Sequence, residues 1–380
     1  MPIQEQMSIV KPVSRDRDKA ADHHNPFPKT PIYIVDILDK VTILSSLQKP
    51  KKITLVGSNG QNYDVLMKPK DDLRKDFRLM EFNNVIKELL YEDTDARQRR
   101  LHIRTYAVYP LNDECGLIEW VQNVTPYRNI VMRYYKQLGK GISMKELKKR
   151  YPQKRESLEK KKQFFESVLL PNHPLVFGNW FRERFPNPHD WYQARCGYIK
   201  TLAVMSMVGY ILGLGDRHGA NILLDGSCGD VVHVDFNCLF NRGELFEIPE
   251  IVPFRLTQNM VKAMGPLGVD GLFRKCCEIT MRVMNKQQNT LMSVLKPFVY
   301  DPLVSWTRCS KAQLMHQERT DPQAEENLKQ IEDRLKGYIK IDGKKSAAPL
   351  STIGQVNHCI TEATDVGRLA SMYIGWGSYL

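Results

Sequence analysis

The 380-residue chain has 55 Lys and Arg against 43 Asp and Glu, a formal charge of +12, with 42% apolar and 26% charged residues. These proportions exclude a disordered or fibrous protein and describe a globular chain longer than one average domain, with apolar surface enough for a core. The positive balance points to an anionic partner without separating nucleotide, lipid and nucleic acid.

Residues 1–30 are charged, hold Pro12, Pro26 and Pro28, lack the apolar run of a signal peptide, and read as a linker. A strand-rich block follows. Lys52–Val56, Gly57-Ser58-Asn59-Gly60 and Asn62–Lys68 predict a hairpin with Asn-Gly at its tip. Phe77, Met80, Val85 and Leu89 are spaced as one stripe of a helix over 77–90, and 102–111 and 116–124 read as strands. From about residue 125 the pattern turns helical. Residues 144–166 carry nine basic and four acidic side chains, read as a solvated helical face broken by Pro152. Residues 198–212 are apolar nearly all round, as for a buried helix, and the most apolar stretch, Leu202 to Leu214, is too short and too flecked with Ser and Gly to span a bilayer. Residues 316–348 are polar and read as a tether with one helix, after which apolar residues return to the end. Eight cysteines show no CxxC pair or zinc spacing, which suits the cytosol or nucleus.

The chemistry concentrates in "LGLGDRHGANILLDGSCGDVVHVDFNCLF", residues 212–240. Asp216 and Asn221 are five apart, the offset of the Asp and Asn in a kinase catalytic loop. Asp235 follows fourteen residues after Asn221, across a turn and an alternating strand. Asn221 and Asp235 can therefore converge on Mg²⁺ with hard oxygen ligands, and Asp216 can sit near an acceptor hydroxyl. His218 follows the aspartate, and in an extended loop both side chains point to one side. It can stabilise charge on the phosphoryl group, share the proton-accepting work, or simply hold the loop. Lys68 is the candidate phosphate cation, with Asp71, Asp72 or Asp76 as its acidic partner, and Trp120 is a candidate adenine platform.

"GYILGLGDRHGANILLD", "HVDFNCLF", "KPKKITLVGSNGQNYDVLMKPKDDLRKDFRLMEF" and "YAVYPLNDECGLIEWV" resemble the phosphatidylinositol-3-kinase-related protein kinases. "FEIPEIVPFRLTQNM" and the terminal "EATD" and "MYIGW" are similar to the DNA-damage checkpoint branch of that family. The resemblance implies an α+β, bilobal protein-kinase-like fold: linker 1–30, β-rich N-lobe 31–121, helical C-lobe 122–315, regulatory segment 316–348 and a helical C-terminal FATC tail at 349–380. It implies the catalytic end of a longer protein whose helical-repeat portion is absent. Ser46 would fall in the phosphate-binding loop, Lys68 would contact phosphates, and Asp76 would be its acidic neighbour, with Asp71 the less favoured. Tyr106 would line the inner pocket, Ile118 would be the gatekeeper-like position, Trp120 would pack on adenine, and the Val121 backbone would read its edge. Asp216 and His218 would be catalytic, and Asn221 and Asp235 would hold the metal. The implied cofactors are ATP with Mg²⁺ or Mn²⁺, and the implied substrates are proteins with Ser/Thr-Gln sites. A regulatory partner subunit, an activator protein, indirect association with DNA and a nuclear location also follow from the likeness. Two departures stand out: Asn237 replaces the glycine after Asp-Phe in most relatives, where its ease in left-handed backbone preserves the turn, and Ala220 replaces a common acidic residue.

Three rival readings remain. A phosphoinositide kinase needs basic residues in its activation segment, yet between Phe236 and Pro253 only Arg242 stands against Glu244, Glu247 and Glu250. An inactive scaffold would lack a reacting group, yet Lys68, Asp216, Asn221 and Asp235 are all present. Direct nucleic-acid binding lacks an interleaved aromatic and basic motif.

Overall fold

A computed structural model describes residues 31–44, 48–152, 156–299, 322–341 and 343–380. The expected linker 1–30 and Ser46 lie outside them. The chain forms two compact units, one of residues up to Met80 with Tyr106–Gln122, the other of Glu81–Thr105 with Asn123–Leu380.

The first unit is built on a six-stranded antiparallel sheet of β1 (Ile34–Ile37), β2 (Thr42–Ile43), β3 (Lys51–Gly57), β4 (Asn62–Pro69), β5 (Val108–Pro110) and β6 (Cys115–Glu119). Its order is β1-β3-β4-β6-β5, with β2 beside β3. The β3–β4 hairpin forms as expected, with Val56 opposite Asn62 and Gly60 at φ +75° in the turn. Leu55, Tyr63 and Val65 alternate inward and pack with Ile53 and Leu117. Both other expected strands are shorter than read. Residues 102–105 belong to the second unit, where His102 bonds Asp230 at 2.8 Å and Arg104 bonds Asp225 at 3.1 Å. The 116–124 run ends at Glu119, and Asn123 turns at φ +59°.

Helix α1 (Arg74–Glu92) covers the expected helix, but its buried stripe is displaced. Asp76, Leu79, Met80, Asn83, Ile86 and Leu90 are buried, whereas Phe77, Val85 and Leu89 are half-exposed. Polar residues on the inner face hid the true stripe from a count of apolar side chains.

The second unit is mainly helical: α2 (Thr94–Gln98), α3 (Tyr127–Gln137), α4 (Met144–Arg150), α5 (Leu158–Phe164), α6 (Phe177–Arg184), α7 (Pro188–Leu212), α8 (Gln258–Ala263), α9 (Leu272–Lys286), α10 (Gln288–Val299), α11 (Pro322–Leu335), α12 (Thr352–Thr364) and α13 (Val366–Ser371). A small sheet of β7 (Val124–Pro126), β8 (Ile222–Asp225) and β9 (Val231–His233) carries the catalytic-loop region. Asn187 caps α7, Pro188 starts it, and Gly213 at φ +60° ends it, where any side chain would collide with Asn241. The helix is buried on nearly every side. Thr201 Oγ1 in its middle accepts the Val231 N–H at 2.9 Å and so fastens β9 to it.

The 144–166 region is two serine-capped helices rather than one face, Ser143 accepting from Glu146 and Ser157 from Lys160. It is also anchored, because the Tyr151 hydroxyl reaches the Ala370 and Met372 carbonyls, 2.7 and 3.1 Å away. The tether reading of 316–348 needs a larger correction. Helix α11 packs on α7 and α10, with Leu328, Ile331 and Leu335 buried. A polar sequence concealed that docked stripe.

Phe177 is fully buried among Tyr127 (ring centroids 5.0 Å), Phe181 (5.3 Å), Tyr198 (5.4 Å) and Trp180 (6.1 Å). Phe177→Ala should therefore lower stability by about 3–5 kcal/mol, read as a shift in the denaturant midpoint.

Candidate active site

The loop after α7 is not extended. The Gly215 N–H bonds Cys238 O at 2.8 Å, and Asp216 turns at φ +57°. Two partners hold that left-handed residue. Its N–H donates to Glu250 Oε2 at 2.8 Å, and its carbonyl accepts Asn221 Nδ2–H at 2.9 Å. A left-handed non-glycine residue costs about 1–3 kcal/mol, and the two hydrogen bonds offset a comparable amount. Asp216 and His218 still approach, with His218 Nε2 4.0 Å from Asp216 Oδ1. The Ala220 N–H donates to His218 Nδ1 at 3.2 Å, so Nδ1 keeps its lone pair and the neutral ring carries its proton on Nε2, towards the aspartate. Partial burial raises the Asp216 pKa above the usual carboxylate range. It lowers that of His218, so the imidazole stays neutral at physiological pH.

The β8–β9 hairpin brings the second aspartate to the first loop. Ile222 pairs with His233, and the Val234 N–H continues the ladder to Asn221 O at 3.1 Å, leaving Asp235 next to that pair. At the other end of the hairpin, His102 and Arg104 hold Asp230 and Asp225, and the Asp230 carboxylate raises the His102 pKa. The Asn221 amide nitrogen is committed to Asp216, which turns its oxygen the other way.

The turn residue of the Asp-Phe-Asn triplet is Asp235 itself, at φ +59°. Asn237 has no left-handed backbone, contrary to expectation. Its side chain instead donates to Asp235 Oδ1 at 2.9 Å, an orienting bond that glycine could not make.

Sequence reasoning gave Arg217 no role, though it is the most connected residue of the loop. Its buried guanidinium donates to Gly215 O and Val234 O, both at 2.9 Å, and to Asp235 O, and lies 5.4 Å from the Phe236 ring centre. Its place between two reactive residues was the available signal. Arg255 is a second omission. Fully buried, with its pKa pulled down to about 10 by desolvation, it donates to Trp376 O at 2.8 Å and Gly377 O at 2.6 Å. It stacks 4.4 Å from the Trp376 ring and reaches Arg217 O at 3.5 Å. The C-terminal tail is thereby tied to the catalytic loop.

In the first unit, Lys68 lies at the end of β4 and pairs with Asp71 at 3.2 Å, the acid held less favoured from sequence. Asp72 pairs with Arg74 at 2.7 Å, and Asp76 is fully buried in the first turn of α1. Tyr106 and Ile118 are buried, Ile118 opposite Leu66 on β4. Trp120 donates its N–H to Asp64 O at 3.0 Å, and Trp120 and Val121 are half-exposed. The Lys52 ammonium sits 4.8 Å from the Trp120 ring centre while bridging Asp64 at 2.8 Å, so the candidate platform has a cation at one side. Burial would raise the Asp64 pKa, but hydrogen bonds from Lys52, Thr54 and Gln122 hold it below the usual value.

Residues 62–308 match the family described as "Phosphatidylinositol 3- and 4-kinase", and residues 349–380 match the FATC domain. "Serine/threonine-protein kinase ATR" of Drosophila melanogaster is 52% identical over 388 residues, covering 100% of this chain and 15% of that protein. "Protein kinase rad3" of Schizosaccharomyces pombe is 47% identical over 385 residues, with the same coverage. The solved "FAT and kinase domain of CtTel1" superposes with a TM-score of 0.82 at 31% identity, covering 100% of this chain and 25% of that one. The chain spans about 15% of the length of these curated relatives. The expected α+β class, with a sheet-rich first part, helical remainder and FATC tail, is the one found.

Arg255→Lys keeps the charge but not the planar fork that serves two carbonyls. It should lower stability by about 1.5–3 kcal/mol, the worth of one charge-assisted hydrogen bond. Hydrogen exchange should show faster labelling of residues 374–380.

Proposed function

This chain belongs to the phosphatidylinositol 3- and 4-kinase family and ends in an FATC domain, and on that premise we propose that it is a serine/threonine protein kinase. It transfers the γ-phosphoryl group of ATP to protein hydroxyls, Ser or Thr before Gln, in nuclear DNA-damage checkpoint signalling. The observation that carries this reading is the frame around Asp216. One carbonyl-to-amide bond joins Asp216 to Asn221, and one backbone bond joins Asn221 to Val234, beside Asp235. The names of the close relatives, serine/threonine-protein kinase ATR and protein kinase rad3, support protein as the acceptor.

Each side chain has a role set by its chemistry. Amide and carboxylate oxygens suit a hard divalent ion, Mg²⁺ or Mn²⁺, whose other positions phosphate oxygens and water can fill. Asn221 and Asp235 would hold that ion, whose charge neutralises the phosphates when bound. Asp216 accepts the proton of the acceptor hydroxyl. His218, with its proton on Nε2, donates a hydrogen bond to the charge that develops on the phosphoryl oxygens. Lys68 contacts the phosphates, as would Ser46. Tyr106, Ile118, Trp120 and the Val121 backbone serve the adenine. The same reading takes 31–121 and 122–315 as the kinase lobes and 316–348 as a regulatory segment. A regulatory subunit and an activator protein would control the enzyme, and its contact with DNA would be indirect. Among the described residues no helix is long and apolar enough to cross a membrane.

A lipid acceptor is the weaker reading. Glu250 faces inward to Asp216, so the activation segment shows one acid fewer at its surface than its sequence suggests. Glu244 and Glu247 remain exposed, and Lys340 pairs with Glu244 at 3.5 Å, so no basic cluster awaits an inositol phosphate.

Transfer of label from ATP to a Ser-Gln peptide should exceed transfer to a Ser-Ala peptide or to phosphoinositide vesicles, and should vanish in Asp235→Ala. Equal label in wild type and variant would overturn the kinase reading. The pH profile gives a second check. A base works only when deprotonated, so rate is full above the raised Asp216 pKa and is lost as pH falls through it. The acid limb of kcat/KM should lie above the usual carboxylate value of about 4.

A further inference from the structure

The catalytic aspartate is held from behind by a residue of the activation segment, Glu250. Its Oε2 accepts the Asp216 N–H at 2.8 Å, and desolvation raises its pKa. Two glycines and one backbone bond shape its place. A Cβ added to Gly215 or to Gly243 would fall 2.7 Å from Glu250 Oε2, and the Glu250 N–H is itself fixed to Gly243 O at 2.9 Å. Two glycines from different loops thus make the slot that the carboxylate fills. Asp216 has a left-handed backbone that needs both its N–H and its carbonyl held, and Glu250 and Asn221 supply one partner each.

We propose that Glu250 is a positioning residue, through which the conformation of the activation segment sets the orientation of the Asp216 carboxylate. The inference rests on the kinase reading above. Its mechanism is local: with Glu250 in the slot, the Asp216 peptide is pinned at both ends and its carboxylate is aimed. With Glu250 withdrawn, only the Asn221 bond remains and the residue can relax to ordinary backbone. The slot backs onto a cavity of about 620 Å³, lined by Gly215, Gly243, Glu250, Arg334 and Arg368 among others, which gives the side chain somewhere to go. A rearrangement of the activation segment would therefore reach Asp216 without touching nucleotide or metal.

Four variants test this. Glu250→Ala removes the acceptor. Glu250→Asp keeps the charge on a shorter arm. Gly243→Ala leaves Glu250 in place but crowds its oxygen, at a residue whose backbone tolerates alanine. Glu250→Gln keeps an acceptor oxygen at the same reach. In label transfer, Glu250→Ala, Glu250→Asp and Gly243→Ala should lower kcat by about 10- to 100-fold, the scale of a misplaced reacting group. ATP KM and the rise in melting temperature on adding Mg²⁺ and ATP should stay near wild type. Glu250→Gln should stay within about threefold of wild type. Independently of activity, hydrogen exchange of the peptide over 213–218 should quicken in the first three variants and not in Glu250→Gln. Unchanged kcat and exchange in Glu250→Asp and Gly243→Ala would overturn the proposal. So would an equal loss in Glu250→Gln, which would show that charge rather than the bond matters. If the wild type transfers no label, the kinase reading fails, while the exchange data still decide whether Glu250 holds Asp216.

Discussion

A guanidinium buried at Arg217 ties its own loop to the turn after β9, some eighteen residues further along the chain. Placing such a charge in the interior costs several kcal/mol unless its donors are satisfied. Here the Gly215, Val234 and Asp235 carbonyls accept them, and the Phe236 ring covers one face. Each of those buried carbonyls would in turn lose about 1–3 kcal/mol without the arginine. The constraint therefore runs both ways. The Asp235 carbonyl points at Arg217, and the residue itself takes a left-handed turn at φ +59°. The loop that carries Asp216 and the turn at Asp235 are thereby fastened to one another.

The fastening extends to the end of the tail. Arg255 bonds two carbonyls of the terminal turn and reaches the Arg217 carbonyl, while Tyr151, just past the end of α4, fixes the Ala370 and Met372 carbonyls. On a third side, Arg334 of α11 donates to Ile211 O at 3.2 Å and to Asn241 Oδ1 at 2.6 Å, beside the glycine that ends α7. Tail, α11 and catalytic loop thus share arginine-to-backbone or arginine-to-amide bonds instead of apolar seams alone. Such bonds are directional, so they fix orientation where apolar packing would allow sliding. The FATC tail is in this sense tied to the loop that carries Asp216.

The candidate reacting residues can be picked out because the proposed chemistry dictates their spacing. The proposal needs Asp216, Asn221 and Asp235 to come together, and the loop and hairpin lengths that place Asp235 beside Asn221 are visible in the sequence. Supporting residues are not. Arg217 and Arg255 belong to a residue type that is mostly exposed, yet both are buried, and Glu250, counted among the acids of the activation segment, faces inward. A charged residue betrays its burial only through partners, and those are backbone carbonyls, which every sequence contains. The displaced stripe of α1 failed for the same reason, since Asp76 and Asn83 occupy inner positions that a hydrophobic count skips. The roles of Asn237 and Asp235 were exchanged because a triplet suggests which residue should turn, and only backbone geometry shows which one does.

The His218 tautomer narrows what the proposed reaction can ask of each group. With Nδ1 accepting from the Ala220 N–H, the ring presents only an N–H towards Asp216 and cannot take a proton there. Burial disfavours the imidazolium, so the ring is a neutral donor rather than a fixed cation. The same partial desolvation makes Asp216 a better base than an exposed carboxylate. One environment thus pushes two neighbouring groups in opposite directions and separates their duties. Asp216 is left to accept the proton, and His218 to donate a hydrogen bond to the oxygens that gain charge. In the proposed reaction, a histidine on the far side of the aspartate, relative to the ordinary kinase order, lets one short loop supply both.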